Sequence, residues 1–187
     1  MDNSKILEDI LSIVDNHVLN ITENDVLEFL KNKKRWPIKY PWGQPSVEII
    51  HQFCNGLGKQ EFFDPNGYLI YDEWVKYYNL GFTTIISNVL DLNESLRFLE
   101  EEILKYTGTK VNGNFYFSVG SSKNRVSFDD HTHDYHVIIK PVYGKSKWRL
   151  SENKFETDKK SFLIKSGEVH SVYECKDKKL SLTLNIF

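Results

Sequence analysis

FDDHTHDYHVIIKP, residues 128–141, is the stretch from which the fold is read. Residues 131–142 are rich in aromatic and β-branched side chains, and the pattern predicts a strand carrying His131 and His133 two positions apart. Residues i and i+2 of a strand point to the same face, so both imidazoles would project into one interior and hold a single ion from one side. The third ligand is expected from His170, which follows the tight turn SGEV at 166–169 and opens another strand that antiparallel pairing can bring opposite. Three neutral nitrogens on one side leave other coordination positions open, the arrangement of a catalytic rather than a structural metal site. His136 falls on the opposite face of an unbroken strand and reads as a surface or supporting residue. His17 and His51 read as ordinary helix residues.

Working outward, further strands are expected at 82–89, 114–119, 147–150, 162–164, 169–173 and 180–186, broken by Gly, Ser, Asn and Asp at intervals typical of a small barrel. The amino-terminal part reads differently. Ile6, Leu7, Ile10, Leu11 and Val14 have helical spacing over residues 4–15, and Thr22 is a good N-cap for a second helix carrying Val26, Leu27, Phe29 and Leu30. Three prolines in RWPIKYPWGQPS, residues 35–46, exclude a regular helix and predict an ordered aromatic loop. Ser46 then caps an expected helix to about Cys54, stopped by Gly56 and Gly58. Residues 62–80 give no firm pattern beyond a turn at 64–67, and residues 93–106 form a helix ending before Gly108. Helices first and strands afterwards indicate an α+β chain. The expected organisation is a helical part, residues 1–80, packed on a barrel, residues 81–187, as one structural unit.

Composition excludes several classes. With 24 basic and 26 acidic residues the formal net charge is −2, so no overall field draws the chain to nucleic acid or an anionic membrane. The basic run Lys31–Arg35 reads as a solvated helix end. Cys54 and Cys175 are the only two cysteines, too few and too far apart for a disulfide framework or a zinc finger, and they fit a reducing cytoplasm. The start of the chain is acidic and amphipathic rather than signal-like, and no apolar run approaches the roughly 18 residues of a membrane span. Aromatic residues make up 14% of the chain, enough to fill a barrel and line a pocket.

The segment from Gly81 to Leu150 resembles the JmjC-type, cupin-like oxygenases that include the ribosomal oxygenases. Asn114 and Tyr116 match the family's Asn-x-Tyr strand, His131 its first metal ligand, and Gly144, Lys145, Lys147 and Trp148 the turn that follows. The tail from Ser161 to Phe187 is similar to the family's second half, in which a turn precedes the last ligand and an apolar strand closes the barrel. The resemblance implies a double-stranded β-helix (cupin, or jelly-roll) barrel, Fe(II) as metal and 2-oxoglutarate as cosubstrate. It implies a cosubstrate contact at position 146; strand alternation separately puts Asn114, Tyr116 and Ser118 on one face, where, if inward, they would line the pocket and hydrogen-bond a bound acid. Ribosomal oxygenases carry further domains after the barrel, so with the sequence stopping at Phe187 a ribosomal substrate is not expected.

Two departures bear on the chemistry. Where the family has the carboxylate of its HxD motif this chain has His133, so the metal site loses a negative charge. Fifteen positions after the first ligand, where the family places a Lys or Arg for the distal carboxylate of 2-oxoglutarate, stands Ser146. A buried dianion needs a cation. Lys140, Lys145, Lys147 and Lys165 are the neighbouring candidates, although Lys145 and Lys147 point outward in the expected register. Asp129 and Asp130 are candidates for orienting an imidazole.

Three functions remain open: a 2-oxoglutarate-dependent hydroxylase of a peptide or small-molecule side chain, a three-His iron or copper oxygenase that binds its substrate directly, and a non-catalytic cupin serving as a binding module. The sequence leaves a homodimer open.

Overall fold

The structure, a computed structural model, describes residues 3–31, 47–51, 54–57, 64–65, 69–120 and 128–187. The proline-rich loop expected at 35–46, most of the basic run after Lys31 and the second half of the turn at 64–67 lie outside these residues.

Among the described residues the chain forms helices α1 (Asn3–Asn16), α2 (Glu23–Lys31), α3 (Tyr71–Asn79) and α4 (Glu94–Thr107), with a 3-10 turn at Val89–Asp91. Eleven strands follow the order β1 (Val47–His51), β2 (Cys54–Leu57), β3 (Thr83–Ile86), β4 (Val111–Ser118), β5 (Phe128–His131), β6 (His136–Tyr143), β7 (Lys147–Leu150), β8 (Asn153–Glu156), β9 (Phe162–Ile164), β10 (His170–Glu174) and β11 (Lys179–Ile186). They pair into a seven-stranded sheet, β2-β1-β3-β4-β11-β6-β9, and a four-stranded sheet, β5-β10-β7-β8. The pairings are antiparallel throughout. The described strands thus make two separate hydrogen-bonded sheets rather than one closed cylinder.

The large sheet is apolar on one face and mixed on the other. In β11, Leu180, Leu182, Leu184 and Ile186 join Phe115 and Phe117 of β4 and Ile138 of β6 in a core shared with all four helices. The alternate residues face the small sheet, where Val137, Ile139, Trp148, Ile164 and Val172 form a second cluster. Period-two alternation therefore sorts β4, β6 and β11 into a helix-covered side and a side that faces β5 and β10.

Caps fix the helix ends. The Thr22 hydroxyl accepts from Asp25 N–H at 3.2 Å while the Asp25 carboxylate accepts from Thr22 N–H at 2.7 Å, a reciprocal N-cap for α2. These hydrogen bonds hold the Asp25 carboxyl below its usual range. Asn93 caps α4 by accepting from Leu96 N–H at 2.9 Å, and Gly108, at φ 72°, ends it in the left-handed conformation.

Lys140 projects from the outer face of β6 and is buried. Its ammonium donates to the carbonyls of Val14, at 2.6 Å, and Asp15, at 3.3 Å, in the last turn of α1. Burial pushes its pKa down, with Asp15 opposing the shift. Lys140→Met keeps the apolar stem and strips two carbonyls of their charged donor, which should cost about 1–3 kcal/mol in urea unfolding. A loss below roughly 0.5 kcal/mol, the range of an ordinary surface change, would contradict this role.

Several sequence expectations are corrected. Within the helix expected from Ser46 to Cys54, the described residues 47–51 and 54 are strand: β1 and β2 pair with each other and β1 with β3, so they extend the large sheet and His51 is a strand residue. The β-branched run VEII at 47–50 satisfies a ladder that residue spacing alone does not reveal. The strand expected over 131–142 is broken into β5 and β6, and that expected at 82–89 shortens to β3 before the 3-10 turn. Helix α3 and strand β8 were not anticipated.

Candidate metal centre

His131 ends β5 and His170 opens β10, and the two are Cα partners in the antiparallel ladder between these strands. His133 lies beyond the strand, in the connection to β6, so it is not positioned by strand alternation. Its place is fixed by the turn before β10, where Gly167 N–H donates to the His133 carbonyl at 2.8 Å. Gly167 has φ 77°, a conformation that suits glycine. The three imidazoles converge: one ring nitrogen from each lies within 4.8 Å of the others. Ring centroids are 5.0 Å apart for His131 and His133, 4.2 Å for His131 and His170, and 5.0 Å for His133 and His170.

The backbone selects the tautomers. His131 Nδ1 is 2.7 Å from the Asp129 carbonyl and His170 Nδ1 is 2.9 Å from the Glu168 carbonyl. A carbonyl only accepts, so each Nδ1 carries the proton and each neutral ring offers the lone pair of Nε2. Both imidazoles are thus oriented by a carbonyl two residues upstream. Burial, followed by the charges of His170 and His131, brings the His133 pKa down to about 4, and burial also lowers that of His170. His133 and His170 are therefore neutral at pH 7, the state a metal ligand requires. Three imidazole nitrogens around one point, two of them oriented by backbone carbonyls, fit a divalent transition metal.

The histidines line one part of a pocket between the two sheets, with walls from Tyr116, Phe128, Val137, Ile139, Trp148 and Val172 and the inner face of β11. Phe128 stacks on His131 at 5.4 Å and Tyr135 on His133 at 4.8 Å. Phe187 in turn packs against Tyr135, with ring centroids 5.0 Å apart.

The other expected residues divide. Tyr116 lines the pocket. Asn114 shares its face of β4, but its side-chain oxygen accepts from Asn88 N–H at 3.2 Å. Ser146 is buried outside the pocket lining, where its hydroxyl accepts from Trp148 Nε1 at 2.9 Å and lies 3.3 Å from the Thr157 hydroxyl. Its direct effect is to hold the indole that forms one wall. Asp129 orients His131 through its carbonyl, not its carboxylate, and Asp130 pairs with Arg149. His136 accepts at Nδ1 from Ser166 N–H at 3.1 Å, and His17 contacts the Ser95 carbonyl at 3.0 Å, both apart from the cluster.

None of the four expected cations faces the pocket. Lys140 caps α1, Lys145 pairs with Glu156 at 3.2 Å, Lys147 pairs with Glu174 at 2.5 Å, and Lys165 is exposed. The lysine that does line it is Lys179, which the sequence reading passed over. It sits in KDKKL, a basic run typical of a solvated turn. The signal that would have found it is the alternation of Lys179, Ser181, Thr183 and Asn185 with Leu180, Leu182, Leu184 and Ile186, which marks a strand with one polar face.

No family model matches the chain, and no curated protein matches its sequence. Among solved structures, the chain is similar to YcfD, a ribosomal oxygenase from Escherichia coli, in its complex with cobalt and succinic acid, with a TM-score of 0.60 and 15% identity over 92% of this chain and 45% of that one. The complex of YcfD with cobalt and 2-oxoglutarate gives a TM-score of 0.57 and 13% identity over the same shares. The likeness is one of fold, and this chain spans about 45% of the length of YcfD.

Proposed function

We propose that the protein is a non-haem Fe(II)-dependent oxygenase with a cupin-type double-stranded β-helix, which uses 2-oxoglutarate to hydroxylate a peptide or small-molecule side chain. The observation that carries the reading is the convergence of His131, His133 and His170 on one pocket between the sheets. The fold likeness to an oxygenase solved with cobalt and 2-oxoglutarate supports the cosubstrate class.

Bound iron would supply the redox chemistry that activates dioxygen. The protein's own part is positional. The Asp129 and Glu168 carbonyls present Nε2 of His131 and His170, and Gly167 holds the loop that delivers His133. Phe128, Val172 and Trp148 give the pocket apolar walls that exclude water, which strengthens the attraction between a bound anion and any cation facing it. A neutral three-His set adds no negative charge, so an anionic ligand is favoured in the open positions.

That same neutrality favours a second reading, in which an iron or copper centre binds an anionic substrate directly without 2-oxoglutarate. Anaerobic loading with Fe(II) followed by 2-oxoglutarate separates the two. A new metal-to-ligand charge-transfer band that is missing in His131→Ala is the expected result. Iron uptake with no response to 2-oxoglutarate would favour the direct-binding oxygenase, and a protein that takes up no metal would leave a binding module.

A further inference from the structure

β11 runs through the middle of the large sheet with its apolar side against the helices, which turns Lys179, Ser181 and Thr183 toward the small sheet. Lys179 lines the pocket and is only 2% exposed. A lysine ammonium in such a place normally reaches a carboxylate or several carbonyls, as Lys140 does. Among the described residues no carboxylate or carbonyl is recorded as a partner of the Lys179 ammonium. The one ionisable group acting on it is the thiol of Cys175, itself buried and held protonated by burial. The hydroxyl-bearing residues Ser181 and Thr183 lie on the same face, and the ladder sets Ser181 opposite Tyr116. The pocket therefore has a buried lysine amine without an anion, on the sheet opposite the strands that carry His131 and His170.

We propose that Lys179 is the counter-ion for the distal carboxylate of a dicarboxylic 2-oxo acid whose other end lies at the histidine cluster. This inference rests on the 2-oxoglutarate reading and deepens it. It moves the cosubstrate's cation from position 146, where Ser146 is committed to Trp148 and Thr157, to the first residue of β11. The site selects for length and charge together: the ligand must carry a second carboxylate that reaches Lys179, and a monocarboxylic 2-oxo acid of the same length leaves the ammonium unpaired.

The test uses the full chain loaded with Co(II) and follows intrinsic tryptophan fluorescence, to which the pocket residue Trp148 contributes, or binding heat. The probes are 2-oxoglutarate and 2-oxopentanoate, which share the 2-oxo acid end and differ in the distal carboxylate. The wild type is expected to prefer 2-oxoglutarate by roughly tenfold to a hundredfold, the range of one charge-assisted hydrogen bond. Lys179→Met is expected to lose this preference and to bind 2-oxopentanoate as the wild type does, which also reports that the variant is folded with its metal centre intact. Its melting temperature without ligand should equal or exceed that of the wild type, because an unpaired buried charge has been replaced by an apolar chain. Should Lys179→Met fail to fold, Lys179→Gln serves for the same comparison. A variant that keeps the preference, or a wild type that binds both acids equally, overturns the role of Lys179 and leaves the cosubstrate reading standing. A metal-loaded wild type that binds neither acid overturns the cosubstrate reading, and the role of Lys179 with it.

Discussion

His170→Ala is expected to lower the affinity of the protein for a divalent transition metal by more than about a thousandfold. Removing a group that merely orients a ligand costs about 10–100-fold in affinity, and His170 is placed to be a ligand itself. It shares the ladder with His131, its ring centroid lies 4.2 Å from that of His131, and its Nδ1 is bound to the Glu168 carbonyl, so only Nε2 is free for an ion. With alanine there, two imidazoles remain on one side of the ion, and one of them, His133, is held by a loop rather than a strand. His170 is 3% exposed, so its loss also opens a small void. The more accessible His131→Ala separates the two effects, since it should weaken metal binding comparably with less change in the melting temperature of the metal-free protein. Calorimetric titration with Co(II) compares both variants with the wild type, and a loss of less than about tenfold in either would show that the residue changed is not a ligand.

Trp74→Ala is expected to destabilise the protein by about 3–5 kcal/mol, the range for truncating a large buried aromatic. Trp74 of α3 is fully buried, stacks on Tyr78 at 5.1 Å, and Tyr78 stacks on Phe117 of β4 at 4.7 Å. Its Nε1 donates to the Thr84 hydroxyl of β3 at 3.0 Å. The Tyr78 hydroxyl donates to the Glu23 carboxylate at 2.8 Å, and burial raises the phenol's pKa. One side chain thus joins α3 to the centre of the large sheet through both dispersion and a hydrogen bond. Chemical denaturation should show the whole transition moving to lower urea with an unchanged slope. A loss under about 1.5 kcal/mol would mean that α3 is not bound into the core in this way.

The reach of sequence reading follows from these two sites. That His131, His133 and His170 come together is legible in the sequence because turn-then-strand patterns mark where the chain returns. Strand alternation does not place His133, however, since the strand breaks after His131 and a hydrogen bond from Gly167 holds the backbone there. Pairs so distant in sequence leave no periodicity to read.

The same limit explains α3 and β1. EWVKYYN looked ambiguous because its aromatics serve a tertiary stack, and VEII reads as a strand only once β3 lies beside it. Lys179 was hidden by composition: three lysines in four residues imitate a solvated turn, and only the alternation further along β11 shows that the third faces inward. Ser146 carries no charge, and that much is legible from the sequence. Its bond to the Trp148 indole could not be anticipated, because it depends on Ser146 and Thr157 lying within hydrogen-bond distance across the β7–β8 hairpin.

X-ray absorption at the metal edge of the Co(II)-loaded protein addresses the three-histidine centre most directly, because the imidazole ring gives a multiple-scattering signature that counts rings. The account predicts three imidazoles and no sulfur in the first shell of the wild type, falling to two in His131→Ala protein forced to load at high metal concentration. A shell of oxygen ligands with one imidazole or none would contradict it.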